Sequence, residues 1–410
     1  MVTNLDTAAI DDDMFAPDVI ADPYTYYGRL RELDPVHWND LHQVWVVTRY
    51  DDITWLNRHP EIFSSSVPQK DPRPPYPPID EADRDEYEFV KWHQTGRIIT
   101  NDRPRHREMR GVLHDWFTPA SVEAWRPIIR SAIDALLAPV LERGRMDVIH
   151  DFALPLPLMV IAEMLGIPED ERGGVYEIAE KLLVGPRVAP GRMREIADAM
   201  RAMDHYATPL VDERSRRPGH DLISVLAGGE QQGVYTRDQV LQNIAFLVVA
   251  GHETTINLIC NGLLAFIRHP DQWDRLRGDP ERLAGPATEE CLRYDPPVKS
   301  IERIAVQEVE LRGKTIKELD RVRWFIASAN RDPERFPHPD SFDIGRTPNP
   351  HVGFGHGIHL CLGATVARVE GQEVFRALAE RFERLTLETD PLRWAPAAHL
   401  RSLKALEVSW

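Results

Sequence analysis

The feature that most constrains the fold is the stretch 237–268, which contains no proline and is apolar around most of its helical circumference. At a rise of about 1.5 Å per residue, a helix over this stretch would be roughly 48 Å long, enough to cross an entire domain. Thr236 is a suitable N-cap residue, and Gln239 follows three positions later, close to a capping box. The sequence therefore predicts one long, buried helix that begins near residue 237.

A membrane-spanning helix is the alternative interpretation of this stretch. However, its centre carries Glu253, and hydrocarbon tolerates a charged side chain poorly. Residues 1–15 are acidic, with neither a basic region nor an apolar run, which argues against a signal peptide or an anchor. The formal net charge of −16 argues against nucleic acid or an anionic membrane as partner. Three widely spaced cysteines suggest no disulfide framework. We therefore expect a cytoplasmic, monomeric protein without membrane or nucleic-acid partners.

A second feature is the glycine-rich segment 354–363, which reads Phe-Gly-His-Gly-Ile-His-Leu-Cys-Leu-Gly and precedes a helical pattern. Glycine allows sharp turns and close approach to a ligand. A thiolate near a helix N-terminus is stabilised by the unpaired amides there. One lone cysteine suits the axial ligand of a haem iron, whereas zinc or an iron–sulfur cluster needs several ligands. The simpler alternative is a glycine-rich turn around a buried cysteine.

The segment matches the pattern F-x-x-G-x-H-x-C-x-G, so the chain resembles the cytochrome P-450 family, and more closely its soluble bacterial haem-thiolate monooxygenases. We can follow the resemblance from about residue 22 to the C-terminus. It implies that Cys361 is the ligand of the haem iron. It also implies cofactor contacts by Phe354, Gly355, His359 and Gly363.

The centre of the long stretch carries the second motif of the family, A-G-x-[D/E]-T-[T/S], at residues 250–255. The resemblance implies that Ala250 and Gly251 lie against the cofactor and that Glu253 and Thr254 are catalytic. A buried carboxylate and a hydroxyl at adjacent positions can relay protons from water. We expect Gly251 to let the helix widen beside a ligand. The alternative is a polar patch that satisfies its own hydrogen bonds inside a long helix.

Charged residues complete the expected site. Taken alone, Glu290 and Arg293 form a common helical surface pair, but the resemblance implies a buried salt bridge that steadies the cysteine loop. It also implies that Arg303, and His106 with Arg110, hold the haem propionates, although a solvated basic face is the simpler interpretation of the last two. The neighbouring cations at 103, 105 and 107 are expected to face an acidic electron donor.

The residues predicted to contact the substrate are mostly apolar. The candidate contacts are Ile98, Ile99, Ile244, Leu247, Val248, Val298 and Lys299. Lys299, together with His399 or Arg401, is a candidate anchor for an anionic substrate, although a surface lysine is the ordinary case. Two segments resemble covers of the substrate pocket: the Pro-rich and acidic stretch 67–88, expected to be a long loop, and 181–195. In the second, the candidate contacts are Leu182, Leu183, Val184, Val188 and Met193.

The resemblance implies a mostly α protein with a small β part, namely the cytochrome P-450 fold, a helical prism with a long central helix over the haem. We expect a single haem domain over 1–410, with 1–20 flexible, and a hairpin of strands near 36–38 and 44–47. The family usually has Pro-Ala-Gly after an isoleucine, but here Ile316 is followed by Lys-Glu-Leu, which puts that turn in doubt.

The expected activity is that of a haem-thiolate monooxygenase. It would use dioxygen, two electrons and two protons to hydroxylate or otherwise oxidise a small, largely apolar organic molecule. The expected cofactor is haem b, and NAD(P)H would act only indirectly, through a ferredoxin reductase and a ferredoxin. A peroxide-driven haem-thiolate enzyme and a non-catalytic haem-thiolate sensor are the alternatives. The intact acid–threonine pair, Glu253 and Thr254, favours the monooxygenase.

Overall fold

Helices dominate the chain, as the sequence predicts. The structure, a computed structural model, describes residues 10–73, 79–183, 192–397 and 399–410. The α-helices are α1 (Pro17–Ala21), α2 (Pro23–Leu33), α3 (Tyr50–Arg58), α4 (Val67–Lys70), α5 (Arg84–Thr95), α6 (Arg105–Leu113), α7 (Pro119–Glu123), α8 (Arg126–Leu141), α9 (Pro155–Leu165), α10 (Arg172–Leu183), α11 (Arg192–Arg216), α12 (Leu222–Gln231), α13 (Arg237–Arg268), α14 (Pro270–Gly278), α15 (Pro280–Tyr294), α16 (Ile326–Ala329) and α17 (Ala364–Arg381). A π-helical turn, Val148–Ala153, leads into α9.

The β part is small and forms three sheets within the described residues. The strands are β1 (Val36–Asn39), β2 (Val44–Val47), β3 (Phe63–Ser64), β4 (Arg145–Asp147), β5 (Ile301–Ala305), β6 (Val309–Leu311), β7 (Lys314–Ile316), β8 (Arg321–Trp324), β9 (Thr386–Leu387) and β10 (Glu407–Ser409). The largest sheet has the order β1-β2-β8-β5-β3, and the others are β4-β10-β9 and β6-β7. The predicted hairpin is confirmed, because β1 and β2 pair antiparallel with Val36 opposite Val47.

Helix α13 is the predicted long helix, and it begins and ends where the sequence indicates. Both arms of the capping box form: the Gln239 amide donates to the Thr236 hydroxyl at 3.2 Å, and the Thr236 amide donates to Oε1 of Gln239 at 3.1 Å. Helices α9, α11, α15 and α17 pack around α13. By length and hydropathy α13 and Val148–Leu165 could each cross a membrane, but 67 % of each such window is buried within the protein. Both are therefore core helices.

The structure departs from the sequence expectations in two segments. The expected flexibility of residues 1–20 stays a prediction, since residues 1–9 lie outside the described residues and α1 buries Ile20. The expected loop 67–88 is wrong in part, because its acidic end forms the first turn of α5, where carboxylates favour the positive end of the helix. Two adjacent glycines in the sequence, Gly173 and Gly174, predict a break between helices, but this prediction is wrong because both lie inside α10.

The turn between β7 and β8 lacks the glycine that is usual in the family, and the residue in its place has a strained backbone. Leu319 stands where the family's pattern has glycine, and its φ is +67°, in the left-handed region that disfavours L side chains. Its side chain is 41 % exposed, so little packing compensates. The turn is therefore retained with a strained residue.

Candidate active site

The cysteine segment closes on itself immediately before α17. The Cys361 amide donates to the Phe354 carbonyl at 2.9 Å, and Gly363 caps the helix. Gly355 and Gly357 both have φ near +74°, which explains the need for glycine. A Cβ on Gly357 would lie 2.2 Å from the carbonyl oxygen of Asn57, so the segment also docks tightly against the end of α3. The result is a rigid loop that presents a free, accessible cysteine.

The electrostatic surroundings of Cys361 act in opposite directions on its thiol. Enclosure by protein raises the pKa of the thiol, while the Gly363 amide and the charges of Arg110 and Arg368 lower it. The Cys361 side chain is therefore accessible to a ligand although protein surrounds the loop that carries it. In the described part of the chain, no three His, Cys, Asp or Glu residues lie close enough to hold a metal ion. Cys361 is thus a single-ligand site.

Four of the predicted cofactor residues form a cluster of cations and imidazoles. The rings of His106 and His359 lie 4.1 Å apart, and Nε2 of His359 is 2.8 Å from the Ser65 hydroxyl. Burial and the nearby Arg110, Arg103 and Arg303 lower the pKa of His106 to about 4. Burial, followed by Arg303, His106 and Arg110, lowers the pKa of His359 to about 2.

The arginines of this cluster make no direct ion pair with the described residues. Burial lowers the pKa of Arg303 to about 10 against the opposing charges of Asp102 and Glu302, and burial also lowers the pKa of Arg110. The nearby Asp102 accepts hydrogen bonds from the hydroxyls of Ser64 and Ser65. The site fits an iron porphyrin in two respects. The iron can be coordinated by the single accessible thiol, and the two propionate carboxylates can pair with the arginines.

Helix α13 carries an accessible stripe on an otherwise buried surface. The partly accessible positions Phe246, Val249, Ala250, Glu253 and Thr254 follow the spacing of a single helical face. Because other helices pack around α13, this face borders an internal space. Burial raises the pKa of Glu253 to about 7. The stripe therefore combines an apolar end with a carboxyl that exchanges protons near neutral pH.

The hydroxyls on α13 bond to the helix itself. Thr254 donates to the Ala250 carbonyl at 2.8 Å, and Thr255 lies 3.2 Å from the Gly251 carbonyl. The expected widening at Gly251 is not observed, because α13 is a continuous α-helix. A Cβ at Gly251 would meet Ile161 at 3.6 Å, an ordinary contact, so space alone does not require glycine there.

The sequence interpretation missed a buried carboxyl behind this motif. Glu370 of α17 is almost fully buried, and its Oε2 lies 3.2 Å from the Thr255 hydroxyl. Burial raises the pKa of Glu370 to about 8. The sequence feature that could have identified Glu370 as buried is its position four residues after Val366 and four before Val374, on the apolar face of the predicted helix.

Glu290 and Arg293 form a fully buried pair. Their side chains are 0 % exposed and joined by two hydrogen bonds of 2.8 Å. Arg293 also donates to three backbone carbonyls, those of Asn330, Pro339 and Ser341. Glu290 accepts from the Asp343 amide, Arg346 and Asn349. The pair thus ties α15 to the segment that leads into the cysteine loop.

The predicted substrate contacts on α13 do not lie on its accessible stripe. Ile244, Leu247 and Val248 are all buried in the core. The accessible apolar residues of this part of the helix are instead Phe246 and Val249. Contact of a substrate with Ile244, Leu247 or Val248 stays a prediction, and Phe246 and Val249 are the apolar side chains of this part of α13 that are accessible.

The other predicted contacts are dispersed. Ile98 is buried and Ile99 is 43 % exposed. Val298 is half-buried and forms a β-bridge with Leu400. In the second predicted cover, Leu182 and Met193 are buried and Leu183 is half-buried. Val184 and Val188 lie outside the described residues.

Lys299 lies beneath the N-terminal helices. It lines a small cavity with Met14, Val19, Pro23, Tyr27 and Phe325. Burial lowers its pKa to about 7, and the like charge of Arg401 acts in the same direction. Arg401 itself donates to the carbonyls of Ile20 and Ala21 and so holds α1. The His399 carbonyl accepts from the Lys299 amide at 2.7 Å. None of the residues that line the cavity with Lys299 belongs to the α13 stripe.

The three arginines near α6 are not equivalent. Arg105 donates to the Val234 carbonyl and to Oε1 of Gln239 at 2.7 Å, so it joins α6 to the start of α13. Arg103 and Arg107 are exposed. Of the three arginines expected to face an electron donor, Arg103 and Arg107 are therefore the exposed ones, and Arg105 is half-buried.

Comparisons with known proteins agree with this geometry. The family model for cytochrome P-450 matches residues 182–397. The cytochrome P-450 monooxygenase PikC of Streptomyces venezuelae is 37 % identical over 418 residues, covering 100 % of this chain and 96 % of that protein. The structure of the P-450 BioI with acyl carrier protein ligated to hexadec-9Z-enoic acid has a TM-score of 0.87, 32 % identity, and 96 % and 99 % coverage.

A second solved structure is similar over the same extent. The myxobacterial cytochrome P-450 CYP267B1, in complex with myristic acid, has a TM-score of 0.85 and 34 % identity, with 97 % of this chain and 98 % of that chain covered. The match over nearly the whole chain confirms the predicted fold, a mostly helical protein with small sheets. Together with the single accessible thiol, it identifies the chain as a member of the cytochrome P-450 family of haem-binding monooxygenases.

Proposed function

We propose that the protein uses dioxygen, two electrons and two protons to oxidise a small, largely apolar organic substrate. The observation that carries the proposal is Glu253, a carboxyl with a pKa of about 7, next to Thr254 on the accessible stripe of α13. A general acid acts best when its pKa is close to the working pH. A peroxide-driven enzyme or a haem sensor would have no need for this pair.

Haem b is the proposed cofactor. Cys361 would bind its iron, and His106, Arg110, Arg303 and His359 would hold its propionates through charge-assisted hydrogen bonds. Phe354, Gly355 and Gly363 would contact it from the cysteine loop, and Ala250 and Gly251 from α13. When bound, the haem supplies the binding and reduction of dioxygen and the transfer of one oxygen atom. The protein would help to keep Cys361 as a thiolate. Burial raises the pKa of its thiol, and the Gly363 amide, Arg110 and Arg368 act against burial by lowering that pKa.

Proton delivery is the role proposed for Glu253 and Thr254. Because burial raises its pKa to about 7, Glu253 can hold a proton near neutral pH, pass it on and be reprotonated from water. Thr254 donates its hydrogen to Ala250, so its oxygen remains free to accept a proton from Glu253 or from a water molecule. The two residues would therefore act as one relay.

Electrons are proposed to come from redox partners. We assign this role to a ferredoxin and its reductase, with NAD(P)H acting only through them. The exposed Arg103 and Arg107 would face the acidic ferredoxin. The net charge of −16 and the burial of both long apolar helices support a cytoplasmic protein without nucleic-acid or membrane partners. We further propose that residues 1–410 act as one domain and as a monomer.

The proposed relay is tested by comparing two ways of driving the reaction. Glu253→Gln keeps the size of the side chain and removes the acid. We expect turnover of myristate with ferredoxin, reductase and NAD(P)H to fall by roughly a hundredfold or more. Turnover driven by hydrogen peroxide, which already carries its protons, should change little. Equal losses in both assays would overturn the relay, and an intact ferrous–CO spectrum in the variant serves as the control for haem binding.

A further inference from the structure

Arg97 is a cation enclosed by protein where α5, α11 and α13 meet. Burial lowers its pKa to about 10 against the opposing charge of Asp204, and among the described residues it makes no direct ion pair. Its guanidinium lies 5.9 Å from the ring centroid of Phe246, at the apolar end of the α13 stripe. Its Nε is buried without a hydrogen-bond partner. An interior cation without a counter-ion is costly, which makes it a candidate ligand site.

The nearest carboxylate does not neutralise Arg97. Asp204 of α11 is bonded to Nε2 of His93 at 3.2 Å, and Nδ1 of His93 lies 3.3 Å from Nη2 of Arg97. A carboxylate only accepts and a guanidinium only donates, so His93 is neutral, with its hydrogen on Nε2. The chain of bonds orients the guanidinium and leaves Nη1 without a hydrogen bond among the described residues, while Nε is enclosed by protein and also lacks one.

The backbone around Arg97 is fixed against α13. The amide of Ile98 donates to Oδ1 of Asn243 at 2.9 Å, and Nδ2 of Asn243 donates to the Gly96 carbonyl at 3.0 Å. Asn101 donates to the Arg97 carbonyl at 2.7 Å. Because both the backbone and one nitrogen of the side chain are held, Arg97 is preorganised to bind a planar anion.

The distance along α13 between Phe246, which Arg97 contacts, and Thr254 indicates how long a ligand of Arg97 must be to reach Thr254. Phe246 precedes Thr254 by eight residues, which corresponds to about 12 Å along the helix axis. Between them the stripe offers Val249 and Ala250, which are apolar. A ligand that reaches from Arg97 to Thr254 would therefore be a chain or ring system with an apolar body and an anionic end.

We propose that Arg97 binds a carboxylate at the remote end of the substrate, while the apolar body of the substrate lies along the α13 stripe towards Thr254. This inference rests on the proposed function and assigns the substrate to the carboxylic acids with an extended apolar part. It moves the anion anchor from Lys299, which lies beneath the N-terminal helices, to Arg97. His93 and Asp204 would be positioning residues for the guanidinium.

The test compares acids with their esters. Myristate, dodecanoate and their methyl esters would be titrated into the haem-loaded protein by isothermal calorimetry, with the substrate-induced shift of the haem spectrum as a second readout. The wild-type protein should bind the acids at least tenfold more tightly than the esters. Arg97→Gln should abolish this preference by weakening the acids roughly tenfold to hundredfold, as expected for a lost charge-assisted contact. Ester affinity should remain unchanged.

Two further variants serve as controls. Arg201→Gln removes another arginine, stacked 4.4 Å from the Phe89 ring and paired with Asp198, and should leave the acid preference intact. Arg97→Lys keeps the charge but loses the planar fork, so it should keep part of the preference. A purely structural role for Arg97 would lower the melting temperature of Arg97→Gln, whereas a ligand site predicts an equal or higher one.

The outcomes that overturn the inference are separate from those that overturn the proposed function. Acids that bind no better than esters to the wild type, or that do not bind at all, would contradict the inference, as would an unchanged preference in Arg97→Gln. A wild-type protein without a thiolate-type ferrous–CO spectrum would instead contradict the proposed function.

Discussion

The buried pair Glu290–Arg293 and the buried cations Arg110 and Arg303 illustrate two ways of placing charge in a protein interior. Both members of the pair are ion-paired and hydrogen-bonded to surrounding backbone. The cations of the candidate haem site have no ion-pair partner among the described residues. Charges that are satisfied within the chain stabilise its fold, whereas charges left unpaired indicate where a ligand brings the opposite charge. The predictions below test this distinction.

The largest effect is expected for the satisfied pair. Glu290→Ala leaves Arg293 buried and uncompensated, and it should lower the free energy of unfolding by about 3–5 kcal/mol or prevent folding. Urea denaturation measures this change. The control is Arg282→Ala on the same helix, which breaks only the exposed pair with Asp279 and should cost at most about 1 kcal/mol. Similar losses in both variants would contradict the distinction.

The unpaired cations should behave in the opposite way. Arg303→Met removes a buried charge that has no direct ion pair among the described residues, so the haem-free protein should be as stable as the wild type or more stable. Haem should dissociate faster, by roughly tenfold to hundredfold, because a charge-assisted contact is lost. Transfer of haem to an acceptor apoprotein gives the rate. A destabilised haem-free protein with unchanged haem retention would show that Arg303 serves the fold.

Glu370 stands between the two cases, since its hydrogen-bond partner among the described residues is a single hydroxyl, that of Thr255. Burial raises its pKa from the usual 4.5 to about 8, so the folded state favours the protonated form. The stability from this group is therefore fully present below about pH 4.5 and is lost as the pH rises through about 8. Glu370→Gln stays neutral at every pH. It should exceed the wild type in unfolding free energy at pH 9 by at least about 1.4 kcal/mol, and match it at pH 4.5. Parallel pH profiles would contradict this.

Leu319 gives the smallest expected effect and concerns backbone strain rather than charge. Leu319→Gly should relieve the strain at φ +67° and raise the unfolding free energy by roughly 1 kcal/mol. Leu41→Gly is the control, because Leu41 is similarly exposed at 46 % but is not among the residues with positive φ. It should bring no gain. A loss of stability in Leu319→Gly would show that its side chain has a packing role.

Much of the architecture was predictable because it rests on local patterns. The long helix, its capping box and the β1–β2 hairpin follow from hydrophobic periodicity, cap residues and turn residues that act over a few positions. The acidic first turn of α5 was misread because its surroundings are rich in proline and charge. Gly173 and Gly174 were misread because glycine inside a helix is disfavoured but tolerated when the neighbouring turns are helical.

The site was predictable only where a residue type is tied to its chemistry. Cys361, Glu253 and Glu290 could be named from motifs, while the accessible face of α13 could not, because a helix that is apolar on all sides does not reveal which side meets open space. This is why the sequence predicted contacts at Ile244 and Val248, which are buried, and did not single out Phe246 and Val249, which are accessible. Arg97 was overlooked because the lack of a counter-ion is a property of the folded chain.

The most direct test of the central claim is the absorbance spectrum of the dithionite-reduced protein before and after the addition of carbon monoxide. If Cys361 is the thiolate ligand of a haem held by the unpaired cations, the ferrous–CO complex should show the far red-shifted Soret band of thiolate ligation, and Cys361→His should lose it. A Soret band typical of histidine ligation in the wild type, or a protein that binds no haem, would contradict the account.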